Sequence, residues 1–232
     1  MPSATIDHNK FDNIPDTIAA FRNGEFIVVM DDPGRENEGD LIIAAQDVTA
    51  EQMAFLVRYS SGYVCAPIPP ARTEFLELPQ MVSNSQDPRG TAYTITIDAA
   101  DPSVTTGISA HDRALAVRRL ADPDATAASF RRPGHVIPLR AVSGGVRARR
   151  GHTEAAIDFC RLAGKAEAAA IGEIVDDGEE IAGQAIRRDP GMLRGEGCIA
   201  FARKWNIKVC TIEDLVNYLE KTEGKLSANG SS

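Results

Sequence analysis

Segments whose apolar residues recur at helical spacing alternate with segments of strand character along almost the whole chain, with no Pro/Ser-rich linker and no repeat between them. Each such element has an apolar side to bury, so the alternation demands layers of helix packed on sheet. Residues 15–23 read as a helix with Ile18 and Phe21 on one face and Gly24 as its stop, followed by a buried strand over 26–30. A polar loop over 31–40 leads into a strand over 41–44. Thr49 and Gln52 form a capping pair for a helix carrying Met53, Leu56 and Val57, which Gly62 ends. Strands are expected over 63–68, 93–97, 136–139, 170–175 and 207–210, with a loop over 79–90. Further helices are expected over 109–120, 153–163, 198–205 and 212–221. Hairpin-like strand neighbours mixed with helices predict an α+β fold, a single layered domain with a mixed, mostly buried β-sheet flanked by helices. It would occupy residues 1–222, with 223–232 as a disordered C-terminal tail.

Composition narrows the partners. Of the 232 residues 43% are hydrophobic and 25% charged, as in a soluble globular protein, and 25 Lys+Arg against 33 Asp+Glu leave a net charge of −8. Such a chain is repelled by a nucleic-acid backbone or an anionic membrane, so a small-molecule partner is expected, with no nucleic acid and no membrane. No stretch approaches the ~20 consecutive apolar residues of a membrane helix, and the first residues lack an export pattern. We therefore expect a cytoplasmic protein. Cys65, Cys160, Cys198 and Cys210 lie far apart without a Cys-x-x-Cys pair, which predicts reduced thiols.

Two local charge extremes stand out. Asp31-Asp32-Pro33-Gly34-Arg35-Glu36-Asn37-Glu38-Gly39-Asp40 sets five carboxylates against one arginine. Like charges that close repel unless a cation sits among them, and Gly34 and Gly39 would let the backbone aim several oxygens at one point. A hard divalent metal such as Mg²⁺ is held this way, by one or two carboxylates with positions left for water or substrate. A solvated acidic turn is the plainer reading. The second extreme carries Arg131, Arg132, Arg140, Arg147, Arg149 and Arg150 with His135 and His152 and no acid at all. Guanidinium forks among glycines suit a phosphate, and a salt-bridged face is the plainer reading here. His152 and Thr153 fall at a helix start, where unpaired N–H groups attract an anion and disfavour imidazolium, leaving a neutral ring able to coordinate metal. Together the two segments describe a site for a metal and a phosphorylated small molecule.

From about residue 15 to about 220 the sequence resembles the 3,4-dihydroxy-2-butanone 4-phosphate synthases of riboflavin biosynthesis. The resemblance is carried by the acidic loop, by Thr105-Thr106-Gly107-Ile108-Ser109-Ala110 with Asp112-Arg113, by Arg132-Pro133-Gly134-His135-Val136 and by Gly151-His152-Thr153-Glu154-Ala155, in that order. It implies a catalytic domain of a homodimeric lyase that converts D-ribulose 5-phosphate into L-3,4-dihydroxy-2-butanone 4-phosphate and formate with Mg²⁺ or Mn²⁺. It further implies that Glu36 and His152 ligate the metal and that Arg35, Glu36, Asp40, Arg149, Arg150, Gly151, His152 and Thr153 contact substrate. His135 and Glu173 would be essential to the chemistry, and Cys65 lies near the family's active site. Two departures are visible. Gly172-Glu173-Ile174 stands where Cys-Glu-Ile is common, and residues 187–197 look like an insertion relative to shorter bacterial members. Activity is expected to survive both.

Proton removal next to a ketone builds charge on oxygen, which a metal stabilises, and a crowded carboxylate has the raised proton affinity of a base. Glu38 and Asp40 are the candidates, with Glu173 as a further acid/base. Cys65 reads equally as a buried inert thiol or a reactive one. Thr106 and Ser109 are candidates for substrate hydroxyls, Ser109 being equally explained as a helix cap. His8 and His111 read as surface residues, Phe201 and Trp205 as core. A metal-dependent sugar-phosphate aldolase or isomerase needs the same chemistry without releasing formate. A nucleotide-binding module of the kind found in tRNA modification is an analogy of fold that the clustered acids oppose. A metal-buffering role has too few ligands.

Overall fold

The computed structural model describes residues 10–226. β1 (Ile27–Met30) and β2 (Gly39–Ala44) are buried along their whole length, as is β3 (Cys65–Ile68). Continuous apolar runs of this kind mark strands covered on both faces. They lie in a seven-stranded mixed sheet of order β4-β5-β3-β6-β2-β1-β9, completed by β4 (Ile97–Ala99), β5 (Phe130–Arg140), β6 (Ala169–Glu173) and β9 (Lys208–Thr211). β1/β9 and β3/β5 pair in parallel, and the other neighbours are antiparallel.

Residue alternation separates two apolar cores. On one face Ile27, Val29, Ile42, Cys65 and Ile171 meet α1 (Ile14–Arg22), α5 (His152–Ala163) and α7 (Ile212–Glu223) through Phe21, Phe159 and Leu215. On the other, Val28, Leu41, Ile43 and Ala66 meet α2 (Ala50–Tyr59), α4 (Ala110–Ala121) and α6 (Glu196–Lys204) through Leu56, Val117 and Cys198. Side-chain caps start four of these helices: Asn13, Thr49 with its reciprocal Gln52, Ser109 and Thr211. α5 starts differently. Its N-cap is Gly151, with no side-chain hydrogen bond, so its first N–H groups stay free of a side-chain partner.

The expected α+β layering holds, with several local differences. The strand expected over 93–97 is displaced to β4, and Tyr93 and Thr94 make only isolated bridges, to Leu139 and Gln80. Pro138 on the facing strand has no N–H to extend a ladder, and its carbonyl takes both the N–H and the Oγ1 of Thr94. α3 (Pro70–Phe75) lies in a stretch for which no helix was expected and opens on a proline. The segment 187–197 contains β8 (Gly191–Met192), which pairs with β7 (Val175–Asp176), and then enters α6. α7 runs through Glu223, which binds Arg147 and Arg161, so the tail does not begin there. Its remainder from 227, like His8, lies outside the described residues. Trp205 is 38% exposed and packs edge-on to Phe55 on the rim of the core, because α6 ends at Lys204 before the indole. All four cysteines are free and buried. Among the described residues no helix is long and apolar enough to cross a membrane.

One close approach sets the geometry beneath His135. A Cβ at Gly134 would lie 2.0 Å from the Ile97 carbonyl carbon and 2.2 Å from the Asp98 nitrogen, so β5 and β4 touch through backbone alone. Gly134→Ala is expected to lower the unfolding free energy by about 3 kcal/mol. Gly191→Ala, where nothing lies within 4 Å, serves as the neutral comparison in urea denaturation.

Candidate active site

Strand register brings the central acids together. Asp40 on β2 pairs directly with Glu173 on β6, and Cys65 on β3 pairs with Ile171 two residues earlier. Because successive side chains alternate, Asp40, Glu173 and Cys65 share the face covered by α5. His152, the first residue of that helix, lies over them, its Nδ1 3.4 Å from Asp40 Oδ1. The acidic loop closes another side of the cleft with Arg35 and Glu36, and Arg149 and Thr153 come from the entry to α5. The resulting cavity holds about 200 Å³.

The acids do not converge as the sequence suggested. Asp31 accepts from the Glu38 N–H at 3.0 Å and from Arg35 at 3.1 Å, and Asp32 accepts from the Gly34 N–H at 2.6 Å. Glu38, a candidate base, is buried and takes Nε and Nη2 of Arg194 on one oxygen, at 3.0 and 2.6 Å. It does not line the cleft. The positive φ of the turn falls at Asn37, not at Gly34 or Gly39. Glu36 does face the cleft, where Arg89 binds it at 3.0 Å.

Asp40 is the exception. Burial, then the charges of Asp31, Glu36 and Glu38, hold its carboxyl well above the usual range. Glu173 opens into the cleft and is also raised, first by desolvation in the cleft wall and then by Asp40 and Glu38. His152 is lowered chiefly by burial, which favours a neutral ring. Among the described residues, neither Asp40 Oδ1 nor His152 Nε2 has a hydrogen-bond partner, although both are buried. Native interiors rarely leave such atoms unmatched. An oxygen and an imidazole nitrogen left open beside Glu36 fit a divalent cation that needs few protein ligands. No three His, Cys, Asp or Glu side chains among the described residues form a ready-made cage.

The remaining expected residues divide. Cys65 lines the cleft, but burial, followed by Asp40 and Glu173, pushes its thiol up, which favours the inert reading. Arg150 is exposed and lines an adjoining cavity with Arg35 and Arg89. Gly151 is buried where a Cβ would strike Arg149 at 2.4 Å, so it serves the packing of the Arg149–Glu154 pair. His135 and Thr106 do not line this cleft. His135 Nδ1 lies 3.0 Å from Asp98 Oδ2, a partner that sequence reading missed because the strand was placed one residue short of it. Thr106 sits in a loop closed by Asp112, which accepts from Thr105 Oγ1 at 2.8 Å. Ser109 caps α4 by accepting from the Asp112 N–H. His111 is exposed at its side chain.

The basic stretch is mostly structural. Arg132 donates to the carbonyls of Ala127, Phe130 and Leu76, Arg140 binds Glu74, and Arg147 binds Glu223. Guanidinium forks suit carbonyls at element ends as well as phosphates. Arg89, Tyr63 and Tyr93 also line the cleft, and they escaped notice because each sits singly in a loop or short apolar run. Of the two departures, Gly172 presents a surface where a Cβ would meet Ser60 Oγ at 2.7 Å, so glycine is matched to its α2 neighbours. Arg194 makes the second departure less remote than expected, since it neutralises Glu38.

Metal-free stability should reveal these protonation states. The unfolded chain protonates His152 near pH 6.5 and the folded one resists it, so His152 favours folding above that pH and the benefit fades as pH falls through about 6.5. Asp40 acts oppositely. Its folded form holds a proton more tightly, so its contribution is lost as pH rises from about 4 toward the raised value. In chelator, denaturant titrations of His152→Asn should lose ground to wild type as pH rises toward and through about 6.5, and regain it as pH falls. Asp40→Asn should gain ground as pH rises above about 4. Parallel profiles would contradict the assignment.

Carboxylates of raised proton affinity, a buried imidazole and flanking arginines thus lie together in one small cleft, the arrangement of an enzyme acting on a small molecule. Residues 15–218 match the family model described as 3,4-dihydroxy-2-butanone 4-phosphate synthase. The Pyricularia oryzae protein of that name is 67% identical over 232 residues, covering 100% of both chains. That of Schizosaccharomyces pombe is 52% identical over 210 residues, covering 90% of this chain and 97% of the other. A crystal structure of a 3,4-dihydroxy-2-butanone 4-phosphate synthase in complex with two magnesium ions superposes with a TM-score of 0.91 at 69% identity, covering 93% of this chain and 100% of that one. The chain belongs to the 3,4-dihydroxy-2-butanone 4-phosphate synthase family.

Proposed function

We propose that the protein converts D-ribulose 5-phosphate into L-3,4-dihydroxy-2-butanone 4-phosphate and formate, a lyase step of riboflavin biosynthesis in the cytoplasm. The observation that carries the reading is the convergence of Asp40, Glu173, Glu36 and His152 on one cleft, with Asp40 Oδ1 and His152 Nε2 buried and unmatched. Glu36 and His152 are the residues to hold Mg²⁺ or Mn²⁺. Such an ion, when bound, supplies Lewis-acid stabilisation of negative charge developing at the substrate's ketone.

The chain's own groups do the rest. Asp40 in its ionised form takes a proton from the carbon beside the ketone, and its raised proton affinity strengthens it as a base for that transfer. Glu173, directly across the ladder and also raised, exchanges protons with neighbouring hydroxyls as the skeleton rearranges. Glu38 is removed from this role by its pairing with Arg194. Arg35, Arg149 and the open N-terminus of α5 with Thr153 orient the phosphorylated end, and Arg150 flanks it from the adjoining cavity. A homodimer belongs to the same reading. His135 is exposed on the chain, and Ile108, 51% exposed, follows Gly107, which packs on Asp98 and His135. Such a surface suits a second copy, to which His135 and Thr106 are available. The catalytic domain of residues 1–222 extends through Glu223 in this view.

Proton NMR of the purified protein with ribulose 5-phosphate and Mg²⁺ should show formate appearing one for one with substrate loss and ceasing in chelator. An unchanged pentose, or an isomer without formate, would defeat the reading. Glu36→Gln and His152→Ala should abolish turnover. Arg149→Gln should raise KM by roughly tenfold or more with a smaller effect on kcat, because a charge-assisted contact remote from the reacting carbons is lost.

A further inference from the structure

Arg89 is a cation for which the catalytic reading has no use. It lies between α3 and β4, outside any helix or strand, yet its side chain reaches across to the acidic loop. Nε donates to Glu36 Oε1 at 3.0 Å and Nη2 to the Arg35 carbonyl at 3.3 Å. Arg149 braces the segment from behind, donating through Nη2 to the Arg89 carbonyl at 3.1 Å and to Thr91 Oγ1 at 3.2 Å. A positive group is therefore held against the carboxylate assigned to the metal, while Asp40 Oδ1 and His152 Nε2 stand open. A divalent ion and a guanidinium at hydrogen-bond distance compete for the same carboxylate and repel one another at a few ångströms.

We propose that Arg89 is an internal counter-cation for Glu36 that a divalent metal must displace, so that the chain sets its metal affinity below what its ligands alone would give. The proposal rests on Glu36 being a metal ligand, as assigned above. Its size follows from exposure. The Arg89 and Glu36 side chains are 41% and 32% accessible, a regime in which an ion pair is modest and screened by salt.

Isothermal titration of chelator-stripped protein with Mg²⁺ tests it without reference to turnover. Arg89→Gln should bind Mg²⁺ about two- to fivefold more tightly than wild type at low ionic strength, and the gain should shrink as NaCl is added. Arg89→Lys, which keeps the charge without the fork, should fall between them. Arg150→Gln removes the same charge from the adjoining cavity without a contact to Glu36 and should gain clearly less than Arg89→Gln. Unchanged or weaker binding by Arg89→Gln, or an equal gain in Arg150→Gln, overturns the proposal. Glu36→Gln separates the two assignments. If it abolishes Mg²⁺ binding while Arg89→Gln behaves as wild type, the counter-cation falls and the metal site stands. If Glu36→Gln binds as wild type does, both fall.

Discussion

Asp40 and Glu173 oppose one another across a buried antiparallel ladder, and the architecture around the cleft is organised by that repulsion. Like charges in direct cross-strand register destabilise a sheet, and burial raises the cost of ionising either. Every other acid of the 31–40 loop is given a cation or a backbone donor: Asp31 by Arg35, Asp32 by the Gly34 N–H, Glu36 by Arg89, Glu38 by Arg194. Two of these partners, Arg35 and the Gly34 N–H, lie within the loop, while Arg89 and Arg194 come from far along the chain, and each removes a competitor for local positive charge. Asp40 is the acid left without a cation, with only the His152 ring beside it, and its proton affinity is raised accordingly.

The loop holds this arrangement because a distant segment templates it. The Gly195 N–H donates to the Asn37 carbonyl, Glu38 and Arg194 bridge through their backbones, and Gly39 packs against the Cys198 sulfur. Asn37 has a φ of +57°, a left-handed conformation that asparagine tolerates better than most residues. Strain at this residue is thus offset by contacts at Asn37 itself and at the two residues that follow it. The 187–197 segment, which the sequence marks only as a departure from shorter relatives, is in this respect a support behind the acidic loop.

The elements most legible in the sequence were those with a local cause. Thr49/Gln52 and Ser109 wrote their helix starts, Gly164 its helix end, and the apolar runs at 26–30 and 41–44 the central strands. Glu36 and His152, more than a hundred residues apart, were placed together by chemistry and by motifs, and both line the cleft. What escaped was non-local. Glu38 looked like a free base because nothing near it in sequence is Arg194, and the arginine stretch looked like a phosphate site because the carbonyls it satisfies belong to other elements. Pro138 disrupted the ladder that the alternation at 93–97 promised.

The start of α5 shows why the cleft needs both chemistry and packing. A serine or threonine at position 151 would cap the helix and raise its intrinsic stability. It would also fill the space where Arg149 and Glu154 meet and close off N–H groups that face the cleft. Glycine leaves those donors open and lets Arg149 swing against the helix, where it braces Thr91 and the segment bearing Arg89. The same choice therefore sets the anion-attracting end of the helix and, through Arg149, the placement of the cation that guards Glu36. A helix less stable on its own is the condition for keeping those donors open toward the cleft.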